Sequence, residues 1–156
     1  MATSQGTKTI ATNRRARFDY EIADTFEAGL VLVGSEVKSL RLGKANLSDA
    51  YAVVRGGEAF LVGAYIAPYE FAREGGHDPT RTRKLLLHKR EIERMGSAVA
   101  EKGLSLVPMR LFFKDGRAKI EIGLGKGKAR YDKRETIKRR QADREMQRAM
   151  RHRSID

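Results

Sequence analysis

The sequence predicts a mainly β protein: a small antiparallel OB-like barrel carrying one short and one medium helix, followed by a basic C-terminal tail. Three observations carry that reading. Two apolar runs are each broken by a two-residue turn, Gly56-Gly57 and Asp115-Gly116, of the kind that joins antiparallel strands. Between them, Lys89 to Lys102 repeats apolar residues at helical spacing. After Leu124 the chain loses its apolar residues and gains charge.

Taken in order, residues 1–12 are polar and read as a flexible N-terminus without the apolar core of a secretory signal. From Phe18 to Val33, Phe18, Tyr20 and Ile22 alternate with charged or small residues, which predicts a long strand with a bulge at Gly29. Ser35 is placed to cap a short helix whose Val37, Leu40 and Leu42 face the core and which Gly43 ends. Glu36, Lys38, Arg41 and Lys44 then face outward. Tyr51 to Val54 pairs with Glu58 to Ile66 across the first turn, and Met109 to Phe113 pairs with Arg117 to Leu124 across the second. In the intervening helix Ile92, Met95 and Val99 share a face, and Gly103 supplies the stop.

Five or six short meandering strands suit a barrel that closes its own edges. An open sheet with two helices on one face remains an alternative, since periodicity does not report closure. The barrel spans residues 13–124 and the tail residues 125–156.

The 156-residue length suits one domain and an extension, and 32 Lys and Arg against 20 Asp and Glu leave a net charge of +12. Compact folding does not need such a surplus, so a polyanionic partner is its simplest reason. No apolar run approaches the roughly 18 residues of a membrane span, so nucleic acid is preferred to a membrane and the cytoplasm is the expected location. The absence of Cys excludes disulfides and thiol chemistry, and His77, His88 and His152 lack metal-ligand spacing. No metal or cofactor is expected.

Residues 125–156 hold 12 Lys and Arg against five acids, so the tail carries +7 of the charge. Its Tyr131, Ile137, Met146, Met150 and Ile155 are too few to form a core, which predicts disorder in isolation. Asp132 and Glu135 stand at capping-box spacing, Glu135 precedes Arg139 by four, and no Gly or Pro follows Gly127, so the tail is primed to become helical when it meets its partner.

Catalytic readings find little support. The acids alternate with Lys and Arg as on a solvated face, and His88 and Ser105 lie in segments without a nucleophile elbow. The run Gly123-Leu124-Gly125-Lys126-Gly127-Lys128 lacks the spacing and terminal hydroxyl of a phosphate loop, and it reads as a hinge whose Lys126 and Lys128 touch backbone phosphates.

What remains is positive charge: Arg14, Arg15 and Arg17; Lys38, Arg41 and Lys44; Arg81, Arg83 and Lys84; and the tail. Clusters attached to one small barrel form an electropositive surface with salt-dependent affinity. RNA is favoured over duplex DNA because no helix-turn-helix, zinc finger or basic zipper is visible, and Tyr131, between Arg130 and Lys133, suits stacking on an unpaired base. Tyr131 packed back on the barrel is the alternative. A permanent ribosomal protein and a ribonuclease are the competing functional classes, the latter weakened by the missing acid cluster or His pair.

Six collinear motifs then carry a family resemblance: Asn13-Arg14-Arg15-Ala16-Arg17, Phe26-Glu27-Ala28-Gly29, the stretch from Gly34 to Arg41, the stretch from Gly43 to Asp49, the stretch from Asp78 to Leu87, and Tyr131-Asp132-Lys133-Arg134-Glu135. In order and spacing the chain resembles the bacterial small protein B (SmpB) family. The resemblance implies an OB-like barrel that binds the tRNA-like domain of tmRNA (SsrA RNA) and delivers it to stalled ribosomes for trans-translation, without covalent chemistry of its own. It also implies a monomer, with elongation factor Tu carrying GTP and alanyl-tRNA synthetase as partners through the tmRNA. On the 70S ribosome the tail would enter the empty messenger channel and probe the decoding centre.

Residue by residue, Glu27 matches the family's acidic RNA-site position, where a carboxylate can accept from a base amino group or orient Arg41 or Lys38. Asn13, Lys38, Arg41, Lys44 and Asn46 fall in motifs presented to the RNA. Leu86 matches an apolar position there, although an ordinary core residue is the stronger reading. Tyr131 occupies a ring position expected to stack on ribosomal RNA, followed by Asp132, Lys133 and Arg134. Phe18 stands where many relatives carry His and is left out of the polar site.

Overall fold

The computed structural model describes residues 6–72, 76–128 and 144. Seven antiparallel strands form one sheet in the order β1-β8-β9-β2-β7-β5-β4: β1 (Thr7–Thr12), β2 (Tyr20–Leu30), β4 (Tyr51–Arg55), β5 (Glu58–Val62), β7 (Arg83–Leu86), β8 (Ser105–Lys114) and β9 (Arg117–Gly127). Two short strands, β3 (Ala45–Asn46) and β6 (Tyr65–Ile66), pair separately. The helices are α1 (Ala16–Asp19), α2 (Gly34–Arg41) and α3 (Lys89–Lys102). The sheet curls until β4 lies beside β8. Among the described residues no ladder joins these two strands, and a cleft of about 860 Å³ lined by Val53, Val99, Leu104 and Val107 separates them. The protein is therefore a partly open, OB-like antiparallel barrel.

Both hairpins form as the turn chemistry requires. Gly56 and Gly57 take φ of 61° and 79°, and Asp115 and Gly116 take 51° and 81°, the positive values that match the strand twist. The inward residues Ala28, Ala59, Leu61, Leu85, Ile120 and Ile122 form the core, closed by Ile92 and Met95 of α3. At the end of α3, Gly103 adopts the left-handed conformation at φ 66°.

Several expectations are corrected. Thr7–Thr12, read as part of a flexible terminus, is an edge strand paired antiparallel with β8. The long first strand begins at Tyr20 rather than Phe18, because Ala16–Asp19 forms a turn of helix. Its register shift lies between Ile22 and Asp24, not at Gly29. The cause is across the ladder: a Cβ at Gly123 would stand 3.1 Å from Ile22, and one at Gly125 would stand 2.8 Å from it, so the glycines make room for that side chain. The glycine run is thus strand, and β9 continues through Gly127, past the expected start of the tail. In α3 Ile92 and Met95 are buried as expected, but the third buried residue is Ala98, and Val99 faces the open cleft.

Helix α2 differs most. Its N-cap is Val33, not Ser35, and the Ser35 hydroxyl instead meets His77 Nδ1 at 2.8 Å. Leu42 is exposed, while Glu36, expected outside, is fully buried.

Candidate nucleic-acid interface

Alternation along β2 sends Phe26 and Ala28 inward and Glu27 outward, and along β7 it buries Arg83 and Leu85 while Lys84 and Leu86 face solvent. The register sets Gly29 opposite Leu86, whose Cβ lies 3.4 Å from where a Gly29 Cβ would stand. Leu86 is thereby laid over Gly29 and left 53% exposed, which overturns the core reading. Glu27, Lys84, Leu86, His88, Lys89 and Lys119 border one open cleft of about 740 Å³. Leu86 is the exposed aliphatic side chain of its lining, and its rim carries both signs of charge.

The carboxylate of Glu27 receives Lys114 Nζ at 3.3 Å from both oxygens. Both groups are near half exposed, so the pair is worth only about 0.2–1 kcal/mol and is readily given up to a ligand. The cation on Glu27 is thus Lys114, rather than Arg41 or Lys38 as the sequence suggested. Lys84 pairs equally loosely with Glu58 at 3.3 Å. Lys114 and Lys119 were missed because only the β2–β9–β8 register brings that hairpin to this face.

The cluster Arg81-Thr82-Arg83-Lys84 does not act as one surface. Arg83 is completely buried: its Nε donates to Glu36 Oε2 at 2.8 Å, and its terminal nitrogens donate to the carbonyls of Ala64 at 2.7 Å and Pro79 at 3.1 Å. It cannot meet a phosphate, which corrects its assignment as an RNA contact. Arg81 donates to both Glu36 oxygens, at 3.1 and 2.7 Å, and to the Val31 carbonyl at 3.2 Å. Glu36 also accepts from the Val33 N–H, at 2.9 Å, which caps α2, and a terminal nitrogen of Arg83 lies 2.7 Å from its Oε2. Burial alone would raise the Glu36 pKa, but the hydrogen bond from Arg81, the Val33 N–H and Arg83 together hold it below the ordinary glutamate value. Arg81 is raised in turn, chiefly by its bond to Glu36. Glu36 at the third helical position was the one available sequence signal for this role.

Other expected site residues are divided between tethers and open charges. Asn13 donates its side-chain amide to the Pro108 carbonyl at 3.0 Å, and Asn46 accepts from the Ser48 N–H and hydroxyl, both at 2.7 Å, so each fastens a turn. Arg14 is exposed, Arg15 pairs with Asp19 at 3.2 Å and lies 5.4 Å over the Phe18 ring, and Arg17 is exposed. Lys38, Arg41 and Lys44 are exposed along and just beyond α2. Lys126 is exposed, whereas Lys128 is bound to the barrel, its N–H donating to the Asp19 carbonyl at 3.1 Å and its Nζ to that of Arg17 at 2.5 Å. That tether corrects the hinge reading. Tyr131, Asp132, Lys133 and Arg134 lie outside the described residues.

Among the described residues no group of three or more His, Asp or Glu could hold a metal ion, and no helix is long and apolar enough to cross a membrane. Fold and site together define a class: a small antiparallel barrel whose outer face offers loosely paired charges around exposed aliphatic side chains. The family model described as SmpB protein matches residues 10–152. An SsrA-binding protein of Syntrophotalea carbinolica is 55% identical over 148 residues, covering 95% of this chain and 99% of that protein. One of Geobacter metallireducens is 56% identical over 149 residues, covering 96% and 97%. A solved chain described under "tmRNA-SmpB: a journey to the center of the bacterial ribosome" is 51% identical, covers 76% of this chain and 84% of its own length, and superposes with a TM-score of 0.64. The chain belongs to the SmpB family.

Proposed function

We propose that this protein binds tmRNA through the face bearing Glu27 and Leu86 and delivers it to stalled ribosomes for trans-translation. The observation that carries the reading is the cleft between β2 and β7, where an exposed leucine and a weakly held carboxylate sit among Lys84, Lys89, Lys114 and Lys119. Lysines neutralise phosphates and release counterions. Glu27, once freed from Lys114, accepts from a base amino group, and Leu86 packs against a base or ribose. The names of the relatives and the ribosome-bound context of the solved SmpB chain support the same partner.

The barrel performs no covalent chemistry in this scheme. Lys133 and Arg134, with Tyr131 and Asp132, serve as the ribosomal part, probing the empty messenger channel and decoding centre, while elongation factor Tu with GTP and alanyl-tRNA synthetase act on the tmRNA end of the complex. The protein works as a monomer in the cytoplasm. The test is filter binding of the full chain to tmRNA and to an unrelated structured RNA of equal length across a salt series. Preference for tmRNA that persists as salt rises supports the reading, and equal affinities that fall together refute it. For the tail, the double substitution Lys133→Ala with Arg134→Ala should leave tmRNA affinity within about twofold yet abolish peptide tagging, because those side chains serve the ribosome; a large loss of binary affinity would contradict this division.

A further inference from the structure

Away from the Glu27 cleft, the connection from β6 to β7 carries the most exposed large apolar side chain among the described residues, Phe71, at 74%. A phenylalanine so placed forgoes most of its apolar burial, yet the described residues on either side of it are bonded to the fold. The Ser39 hydroxyl donates to the Ala67 carbonyl at 2.6 Å, the Ala67 N–H donates to the Lys44 carbonyl at 3.0 Å, and the Ala72 N–H closes a turn onto the Tyr69 carbonyl at 2.9 Å. On its far side His77 bridges the Ser35 hydroxyl and the Ile66 carbonyl, at 2.8 and 3.0 Å. The loop is therefore bound to α2 along both of its flanks.

Phe71 stands edge-to-face with Tyr69, ring centroids 5.6 Å apart at 69°, an arrangement that orients the ring and leaves a flat face open. The Lys38 ammonium lies 5.8 Å from the Tyr69 ring centre. Arg41, one helical turn further along α2, is exposed, and so is Lys44, whose carbonyl accepts from the Ala67 N–H of the loop. Glu70 and Asp78 are the exposed acids on the described part of the connection, Asp78 accepting from the Thr80 N–H at 3.1 Å, against the three cations of and just beyond α2. An oriented, wet aromatic ring within a cationic border has the chemistry that holds an unpaired base by its π-face while the adjacent phosphates meet Lys and Arg.

We propose that Phe71, braced by Tyr69 and bordered by Lys38, Arg41 and Lys44, is a stacking platform for one unpaired base of the bound RNA. It is a second contact, on α2 and the β6–β7 connection, and it rests on the RNA-binding reading above. The platform gives the small barrel two separated grips on one RNA: pairing by charge and hydrogen bonds at Glu27, stacking at Phe71.

The experiment uses the full chain and tmRNA. Phe71→Ala should leave the unfolding midpoint unchanged, because the ring is exposed, and weaken binding between about fivefold and a hundredfold, the range that loss of one base–aromatic stack produces. The sequence contains no Trp, so Phe71→Trp introduces a single indole whose emission should be quenched as tmRNA is added while affinity stays within about twofold of the parent. Parent-like affinity of Phe71→Ala together with unchanged emission of the Phe71→Trp variant would overturn the platform and leave the Glu27 face standing. Unchanged RNA affinity with weakened binding to ribosomal proteins would overturn it in favour of a protein contact. A parent chain with no preference for tmRNA would remove the RNA reading on which the platform rests.

Discussion

Two glutamates in neighbouring motifs, Glu27 on β2 and Glu36 on α2, show what surroundings make of one side chain. Glu36 is fully buried and takes four hydrogen bonds, two from Arg81, one from Arg83 Nε and one from the Val33 N–H, while a terminal nitrogen of Arg83 lies 2.7 Å from its Oε2 as an ion pair. Glu27 is 42% exposed and holds one lysine at 3.3 Å. Removing the first strands a buried guanidinium, whereas removing the second leaves an ammonium in water. The first glutamate is part of the fold and the second is available to a ligand.

The largest effect should come from Glu36→Gln, which leaves Arg83 buried without its counter-charge and costs about 3–5 kcal/mol, read from urea unfolding. Acid unfolding gives the same contrast. Because the folded pKa of Glu36 is lowered, its contribution is fully present above the ordinary glutamate value of about 4.3 and is lost as pH falls through the lower folded value. The parent chain should therefore lose stability in that acid window, and Glu36→Gln should flatten that part of the profile; equal slopes would break the distinction between the two glutamates.

Leu86→Glu comes next. A charge placed on the exposed floor of the cleft should change the unfolding free energy by no more than about 0.5 kcal/mol while weakening tmRNA binding at least tenfold, since it sets a carboxylate against phosphate. Lys84→Gln should weaken binding less and reduce the slope of log affinity against log salt by about one, the signature of a single phosphate contact. Smallest is Lys114→Ala, whose stability cost should stay within about 0.2–1 kcal/mol in thermal unfolding.

How much of this was legible follows from sequence distance. The hairpins at Gly56-Gly57 and Asp115-Gly116 and the helix stop at Gly103 were readable because turn chemistry is local. The bond between Glu36 and Arg83 spans 47 residues, and no periodicity announces it; Glu36 and Arg83 both look like surface charges until the sheet brings β7 under α2. Ile22 seated over Gly123 and Gly125 is hidden in the same way, so a glycine run required by packing imitates a hinge. Leu86 was misplaced because a leucine within an apolar run is normally internal, and only its register opposite Gly29 shows it facing out. Among the candidate site residues, Glu27, Lys84 and the cations of α2 are proposed from motif and charge, while Lys114, Lys119 and Phe71 depend on long-range placement that no local pattern encodes.

The most direct measurement is titration of the tRNA-like domain of tmRNA with the Glu27→Ala chain, alongside its unfolding midpoint. Loss of an acceptor for a base amino group predicts affinity reduced about tenfold to a hundredfold, with the unfolding free energy changed by less than about 1 kcal/mol. Parent-like affinity in a chain of parent-like stability would contradict the assignment of this face to the RNA.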